Sequence, residues 1–256
     1  MISTDPTEAA LMAAVCAAPH DDEPRLAYAD WAARAGGAEG IARADYIRRT
    51  IRRYRDQQEL DDDTALRLRT PARTAAWANG VDRLELLHHD FVRGFVGYVL
   101  ADAAPLLRAD VATRCPVEYV CVRRGAKAEL ANLLRAPWMT QFMSLDLGKN
   151  DLTDDDVHRI AASDLRGLRW LNLDGNPVSF GAVEALAAAT AIGHFPELHS
   201  LLLPFDIYDE VEGGRGMTPI QLTVFRPEAG TRLRATYGDL PWLTPRPPGL
   251  RSALYA

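Results

Sequence analysis

The sequence predicts an α/β fold: a short stack of parallel strands backed by helices, with a helical module before it and a β-hairpin after it. Three observations predict this. A pattern of leucines closed by an asparagine recurs 26 residues apart (171 − 145 for the leucines, 176 − 150 for the asparagines). Each copy runs into a segment with helical spacing of apolar residues. The first third of the chain carries helix caps and helical periodicity but no strand pattern.

Composition sets the bounds. The 256 residues, 48% hydrophobic and 25% charged, suit one large or two smaller domains and exclude wholesale disorder. A net charge of -6 argues against nucleic acid as the main partner. No apolar stretch reaches the roughly 18 to 20 residues that span a bilayer, so no membrane association is expected. Met1-Ile2-Ser3-Thr4-Asp5-Pro6 lacks the basic and apolar regions of a secretion signal. Cys16, Cys115 and Cys121 make no even framework, so reduced, mostly buried thiols in a cytoplasmic protein are expected, with a Cys115–Cys121 bridge as the alternative.

The helical module covers 1–90. Asp5-Pro6-Thr7-Glu8 caps a first helix running to about Ala18. Asp22-Glu23-Pro24 starts a second, closed by Gly36-Gly37 as a left-handed cap. A third runs from about Ala42 to Gln58, with Ile47, Ile51 and Tyr54 on one side and arginines over much of the rest. Another helical stretch is interrupted or started by Pro71, and Phe91 to Val99, rich in aromatic and β-branched residues, reads as one strand.

The repeats cover 91–210. Leu145-Asp146-Leu147 with Asn150 is echoed by Leu171-Asn172-Leu173 with Asn176. Leu198, Leu201 and Leu203 form a third copy, and Val117, Val120 and Val122 a degenerate earlier one. Thr153 and Ser179 are placed to cap the helices that follow two of them. A lone strand-plus-helix unit cannot bury its apolar side, but stacked units share one core. The asparagines are expected to take otherwise unpaired backbone groups at the turns. In 211–256, Ile220 to Phe225 and Arg232 to Tyr237 are expected to pair as a hairpin cap ahead of an extended Pro-rich tail.

This spacing, phase and following helix predict a short leucine-rich-repeat solenoid, and the run resembles repeats of the ribonuclease-inhibitor-like kind. Asp21-Asp22-Glu23-Pro24-Arg25-Leu26-Ala27-Tyr28-Ala29-Asp30-Trp31, with Ala44-Asp45-Tyr46-Ile47-Arg48, Trp77 and Arg93-Gly94-Phe95-Val96, resembles the bacterial repeat-companion domain found just ahead of such repeats. The resemblance spans roughly residues 8–206. The chain departs from it in an Ala-rich first helix, a Gly-rich 36–40 loop and few clean repeats. It implies an architecture and protein interaction, and it supplies no catalytic residues.

Aligning the copies puts Tyr119, Ser144, Trp170 and Ser200 in one outward row and Cys121, Asp146, Asn172 and Leu202 in the next. Glu118, Met143, Arg169 and His199 flank them. Tyr119, Asp146, Arg169, Trp170, Asn172 and His199 are the candidate partner-binding residues, since exposed aromatics anchor interfaces. Packing of Tyr119 and Trp170 under the N-terminal helices or the hairpin is the other reading.

The Arg43–Arg55 helix could take an acidic partner or nucleic acid, or be a solvated face offset by Asp45, Asp56, Glu59 and Asp61 to Asp63. His88-His89-Asp90 lacks the spacing of a zinc site. Asp154-Asp155-Asp156 lacks the alternating ligands of a calcium loop and reads as helix capping. No phosphate-binding loop, dinucleotide fingerprint or nucleophile elbow occurs. No cofactor or metal is expected, and the expected function is non-catalytic binding of a protein, a peptide or a second copy of the chain. A peptide-modifying enzyme or its accessory subunit, using His88, His89, Asp90 or Cys121, is the alternative, and nucleic-acid binding a further one.

Overall fold

The computed structural model describes residues 5–56, 67–204 and 227–243, and among these are ten α-helices and six strands. The fold is α/β, as the sequence predicts. The described residues divide into two compact units, 5–101 with 108–120, and 102–107 with 121–243. No helix among the described residues is long and apolar enough to cross a membrane.

The first unit opens with α1 (Pro6–Ala17), α2 (Glu23–Ala35) and α3 (Gly37–Asp56). The Asp5 carboxylate accepts the Thr7 N–H at 2.7 Å, the expected cap. At α2 the capping oxygen belongs to Asp21, which accepts the Glu23 N–H at 2.9 Å. The Gly-rich 36–40 loop is instead the start of α3. Gly37 alone takes the left-handed turn, with φ 55°, while Gly36 has φ -100°. A Cβ on Gly40 would lie 2.0 Å from the Ala32 carbonyl oxygen, so the glycine lets the two helix backbones meet. Val15, Tyr28, Ala29, Ala32, Ala44, Ile47, Ile51 and Phe95 form the core beneath.

Pro71 starts α4 (Pro71–Trp77), capped by Thr70. The single strand expected over 91–99 is an antiparallel hairpin, β1 (His88–Val92) and β2 (Phe95–Ala101). Arg93 and Gly94 form its two-residue turn with φ 49° and 87°. Two positive φ values match the twist of the flanking strands. Arginine is an unusual occupant of that turn, which hides the break from a reading of apolar runs. A Cβ on Gly94 would lie 2.8 Å from Ile47 Cα, so the turn sits directly on α3. Two short helices follow, α5 (Ala103–Arg108) in the second unit and α6 (Val111–Arg114) in the first. The Glu118 N–H then donates to the Gly97 carbonyl at 2.8 Å and leads into β3 (Tyr119–Val122).

In the second unit, β4 (Ser144–Asp146), β5 (Trp170–Asn172) and β6 (Ser200–Leu202) are parallel. Leu145 lies beside Leu171, and Leu171 beside Leu201. α7 (Ala126–Arg135) precedes β4, α8 (Asp154–Ala161) runs between β4 and β5, and α9 (Phe180–Ala191) between β5 and β6. The three leucines are buried together with Leu147, Leu173, Leu130, Leu133, Val157, Ile160, Val183 and Leu186. Each buried leucine contributes roughly 2 kcal/mol, so the alternation along these short strands sets which side faces the helices.

The asparagines do what the sequence requires of them. Asn176 donates to the carbonyls of Leu147 (3.0 Å) and Leu173 (2.8 Å). Its Oδ1 accepts the N–H groups of Asn150 (2.9 Å) and Leu152 (3.0 Å). Asn150 likewise donates to Val122 and Gly148 and accepts from Ala126. Asp156 takes the N–H and hydroxyl of Thr153 at the start of α8, and Ser179 accepts from Gly181 at the start of α9.

The C-terminal hairpin is corrected. Ile220 to Phe225 lie outside the described residues, and Arg232 to Tyr237, expected as the return strand, belong to α10 (Pro227–Tyr237). Pro227 suits a first helical turn. Ala229 and Leu233, four residues apart, are buried on one face, a helical period that the alternating Arg232-Leu233-Arg234 obscures. Leu240, Trp242 and Leu243 are also buried, and the Trp242 indole donates to the Thr190 hydroxyl on α9 at 3.1 Å.

Candidate binding face

Strand alternation that sends Leu145, Leu171 and Leu201 inward sends Asp146, Asn172 and Leu202 to the opposite face, side by side in register. One oxygen of Asp146 accepts from the Gly148 N–H and from the Asn172 amide, both at 2.9 Å. Asn172 in turn accepts the Asp174 N–H at 2.8 Å. These bonds fix the orientation of both side chains. Trp170 is half-buried between Ser144, which is buried, and Ser200, which is half-buried. Arg169 reaches toward Glu197 at 3.8 Å, and His199 is half-buried next to Ser200. Leu202, 38% exposed, is the large apolar side chain of this face most open to solvent.

Four residues do not stand where the alignment of repeats put them, buried Ser144 among them. Tyr119 is 2% exposed, and its hydroxyl lies 3.2 Å from that of Tyr54 on α3. It packs under the N-terminal helices and is no exposed anchor. Glu118 and Met143, expected to flank the face, are buried as well.

Glu118 belongs to a buried ionic cluster that sequence reasoning missed. Arg25 donates to Glu118 at 2.8 Å and to the Pro19 carbonyl at 2.7 Å. Arg93 lies 2.7 Å from the other Glu118 oxygen and 2.9 Å from Asp22, and it donates to the carbonyls of Pro19 and His20. Burial pulls the Arg25 guanidinium down to about 10 against the opposing pull of Glu118. The two arginines therefore tie the α1–α2 connection to the hairpin turn. This gives a physical reason for Asp22, Arg25 and Arg93-Gly94 occurring together in the chain. The one local signal was a carboxylate, Glu118, inside the apolar run Val117 to Val122. Because the three side chains are sealed from solvent, the cluster holds structure and offers nothing to a ligand.

The arginines of α3 are largely spent within the first unit. Arg48 pairs with Asp30, Arg49 with Asp45 and Arg55 with Asp22, at 2.5, 2.8 and 2.7 Å. Arg43 is buried over the rings of Trp77 and Phe95.

His88 and His89 lie on strand β1 rather than a helix, their ring centroids 6.4 Å apart. Asp90 is engaged by Arg69 at 2.8 Å. His89 lines an open hollow with Arg69, Pro71, Thr74, Ala75 and Asp82, and burial, with His88 alongside, lowers its pKa. No group of three or more His, Cys, Asp or Glu among the described residues is placed to hold a metal.

All three cysteines are free thiols. Burial pushes Cys16 up to about 11 and raises Cys115 further, which keeps both protonated and poorly nucleophilic. At the start of α8, Asp154 accepts the N–H and hydroxyl of Ser179, which holds its carboxyl below the usual range. That acidic run joins one turn to the next.

Compared with known proteins, the chain matches no family model, no curated protein and no solved structure.

Proposed function

We propose that the chain is a non-catalytic binding module whose second unit is a short leucine-rich-repeat solenoid. In this reading the outward face of β4, β5 and β6 receives a protein or an extended peptide, in the cytoplasm. The observation that carries it is the register itself: Leu145, Leu171 and Leu201 stack on one side, while Asp146, Asn172 and Leu202 stack on the other with their polar atoms pre-oriented. A face fixed by internal hydrogen bonds loses little side-chain entropy on binding. The contacting residues would be Asp146, Arg169, Trp170, Asn172 and His199. The Arg25 and Arg93 cluster supports reading the first unit as a repeat-companion domain, a structural lead-in to the repeats.

The test is affinity capture from the native host with the intact chain and with a Trp170→Ala/Asn172→Ala variant shown by circular dichroism to be folded at the capture temperature. The expected result is a defined partner retained by the first and lost by the second. An identical retained set from both would remove the face from consideration.

A further inference from the structure

A different set of residues in the second unit names the chemistry of a partner. Arg123, Arg124, Lys127 and Lys149 are all exposed, and Lys127 and Lys149 are the two lysines of the whole chain. Among the described residues none of the four forms an ion pair, whereas Arg48, Arg49 and Arg55 on α3 each have an acid in contact.

Their placement follows the repeat. Arg124 and Lys149 are 25 residues apart (149 − 124), the same offset as Val120 and Leu145 (145 − 120), so they occupy the same turn of successive coils. Both turns have fixed backbones. The Arg124 carbonyl accepts the Ala103 N–H at 2.9 Å, and the Lys149 N–H donates to the Asp174 carbonyl at 2.8 Å. The third equivalent turn carries Gly175, and the stem of Lys149 lies over it: a Cβ there would be 2.6 Å from Lys149 Cγ. The acids nearest in sequence, Glu129, Asp146 and Asp151, make no ion pair with the four; Glu129 accepts from Asn132, and one oxygen of Asp146 is already committed to Gly148 and Asn172.

We infer that Arg123, Arg124, Lys127 and Lys149 form a docking surface for an acidic segment of a partner protein. Unpaired guanidinium and ammonium groups on ordered turns attract carboxylates, and arginine does so with two parallel hydrogen bonds. A peptide suits the surface better than nucleic acid. The turns bearing these cations hold Gly125 and Gly148 where base stacking would need rings. The inference rests on reading the second unit as a protein-binding module.

The probe is fluorescein-labelled octaglutamate, followed by anisotropy at low and high salt with the full chain. Saturable, salt-sensitive binding is expected. The variant Arg123→Gln/Arg124→Gln/Lys127→Gln/Lys149→Gln should weaken it by about tenfold or more. The control Arg48→Gln/Arg49→Gln/Arg52→Gln should leave it unchanged. If the fourfold variant does not fold, acetylating the two lysines of the folded chain should still weaken binding.

The inference is overturned by no saturable binding at low salt, or by equal affinity in the fourfold variant and the control. It is also overturned if an oligothymidylate of equal charge binds as tightly. The Trp170→Ala/Asn172→Ala variant should keep octaglutamate while losing the native partner. Native capture that needs Trp170 but not these cations would refute this surface and leave the strand face standing.

Discussion

Replacing Asn176 with alanine should damage the second unit out of proportion to the atoms removed. The side chain is buried and bonds four backbone groups: the carbonyls of Leu147 and Leu173 and the N–H groups of Asn150 and Leu152. Leaving a buried backbone group without a partner costs roughly 1 to 3 kcal/mol. Even at the low end, four such groups imply a loss of about 4 kcal/mol. Asn172→Ala is the matched control, because Asn172 is half-buried and makes two bonds, for a loss of about 1 kcal/mol.

Two compact units need not unfold in one step. The decisive assay is therefore hydrogen exchange at the Asn150 and Leu152 amides, with urea unfolding as the global measure. Both amides should lose protection in Asn176→Ala and keep it in Asn172→Ala. Retained protection at Asn150 and Leu152, with a stability loss no larger than the control's, would refute the idea that buried asparagines hold the turns together.

Other outcomes follow from the first unit, with Gly238 of the second unit as a control. Gly94→Ala combines a left-handed φ with a backbone clash against Ile47 and should cost about 2 to 4 kcal/mol in thermal or urea unfolding. Gly238→Ala, left-handed but with nothing within 4 Å, should cost about 1 kcal/mol. Glu118→Gln would leave two buried guanidiniums facing a neutral amide and should destabilise by about 3 to 5 kcal/mol, measured by denaturation at pH 7. His89 is held below its usual 6.5, so just under that pH the unfolded chain binds more protons than the folded one, and stability falls as pH drops. His89→Gln should flatten that part of the stability curve, and an unchanged slope would show that the imidazole does not contribute.

What was legible in the chain was whatever depends on period. The 26-residue echo placed Leu145, Leu171 and the two asparagines, because parallel strands paired in register, with like turns after them, repeat their core and their backbone bonds at a fixed interval. What escaped depended on partners distant in sequence or on local conformation. Tyr119 alternates like an outward residue, yet Tyr54 from α3 meets it, and nothing in a strand pattern announces a helix 65 positions earlier. The Arg93-Gly94 turn was hidden inside a continuous apolar run. Leu233 fits a period of two as well as a period of four, and the neighbouring Ala229 decided for the helix. The face residues Asp146 and Asn172 were placed correctly in register, while the hydrogen bond joining them required coordinates.

The asparagine bonds also have a direction. Asn176 serves the turn that precedes it, receiving N–H groups from residues 150 and 152 and feeding a carbonyl at 147, so each loop leans on the one that comes later in the chain. Cutting the protein short just before Trp170 would strip the upstream turn of these three bonds to Asn176, and of the backbone bonds that Leu147 and Lys149 donate to Asn172 and Asp174. Shortening from that end should therefore unravel material well behind the cut, so that the strand-and-helix units of this part cannot be removed one by one with the remainder left intact.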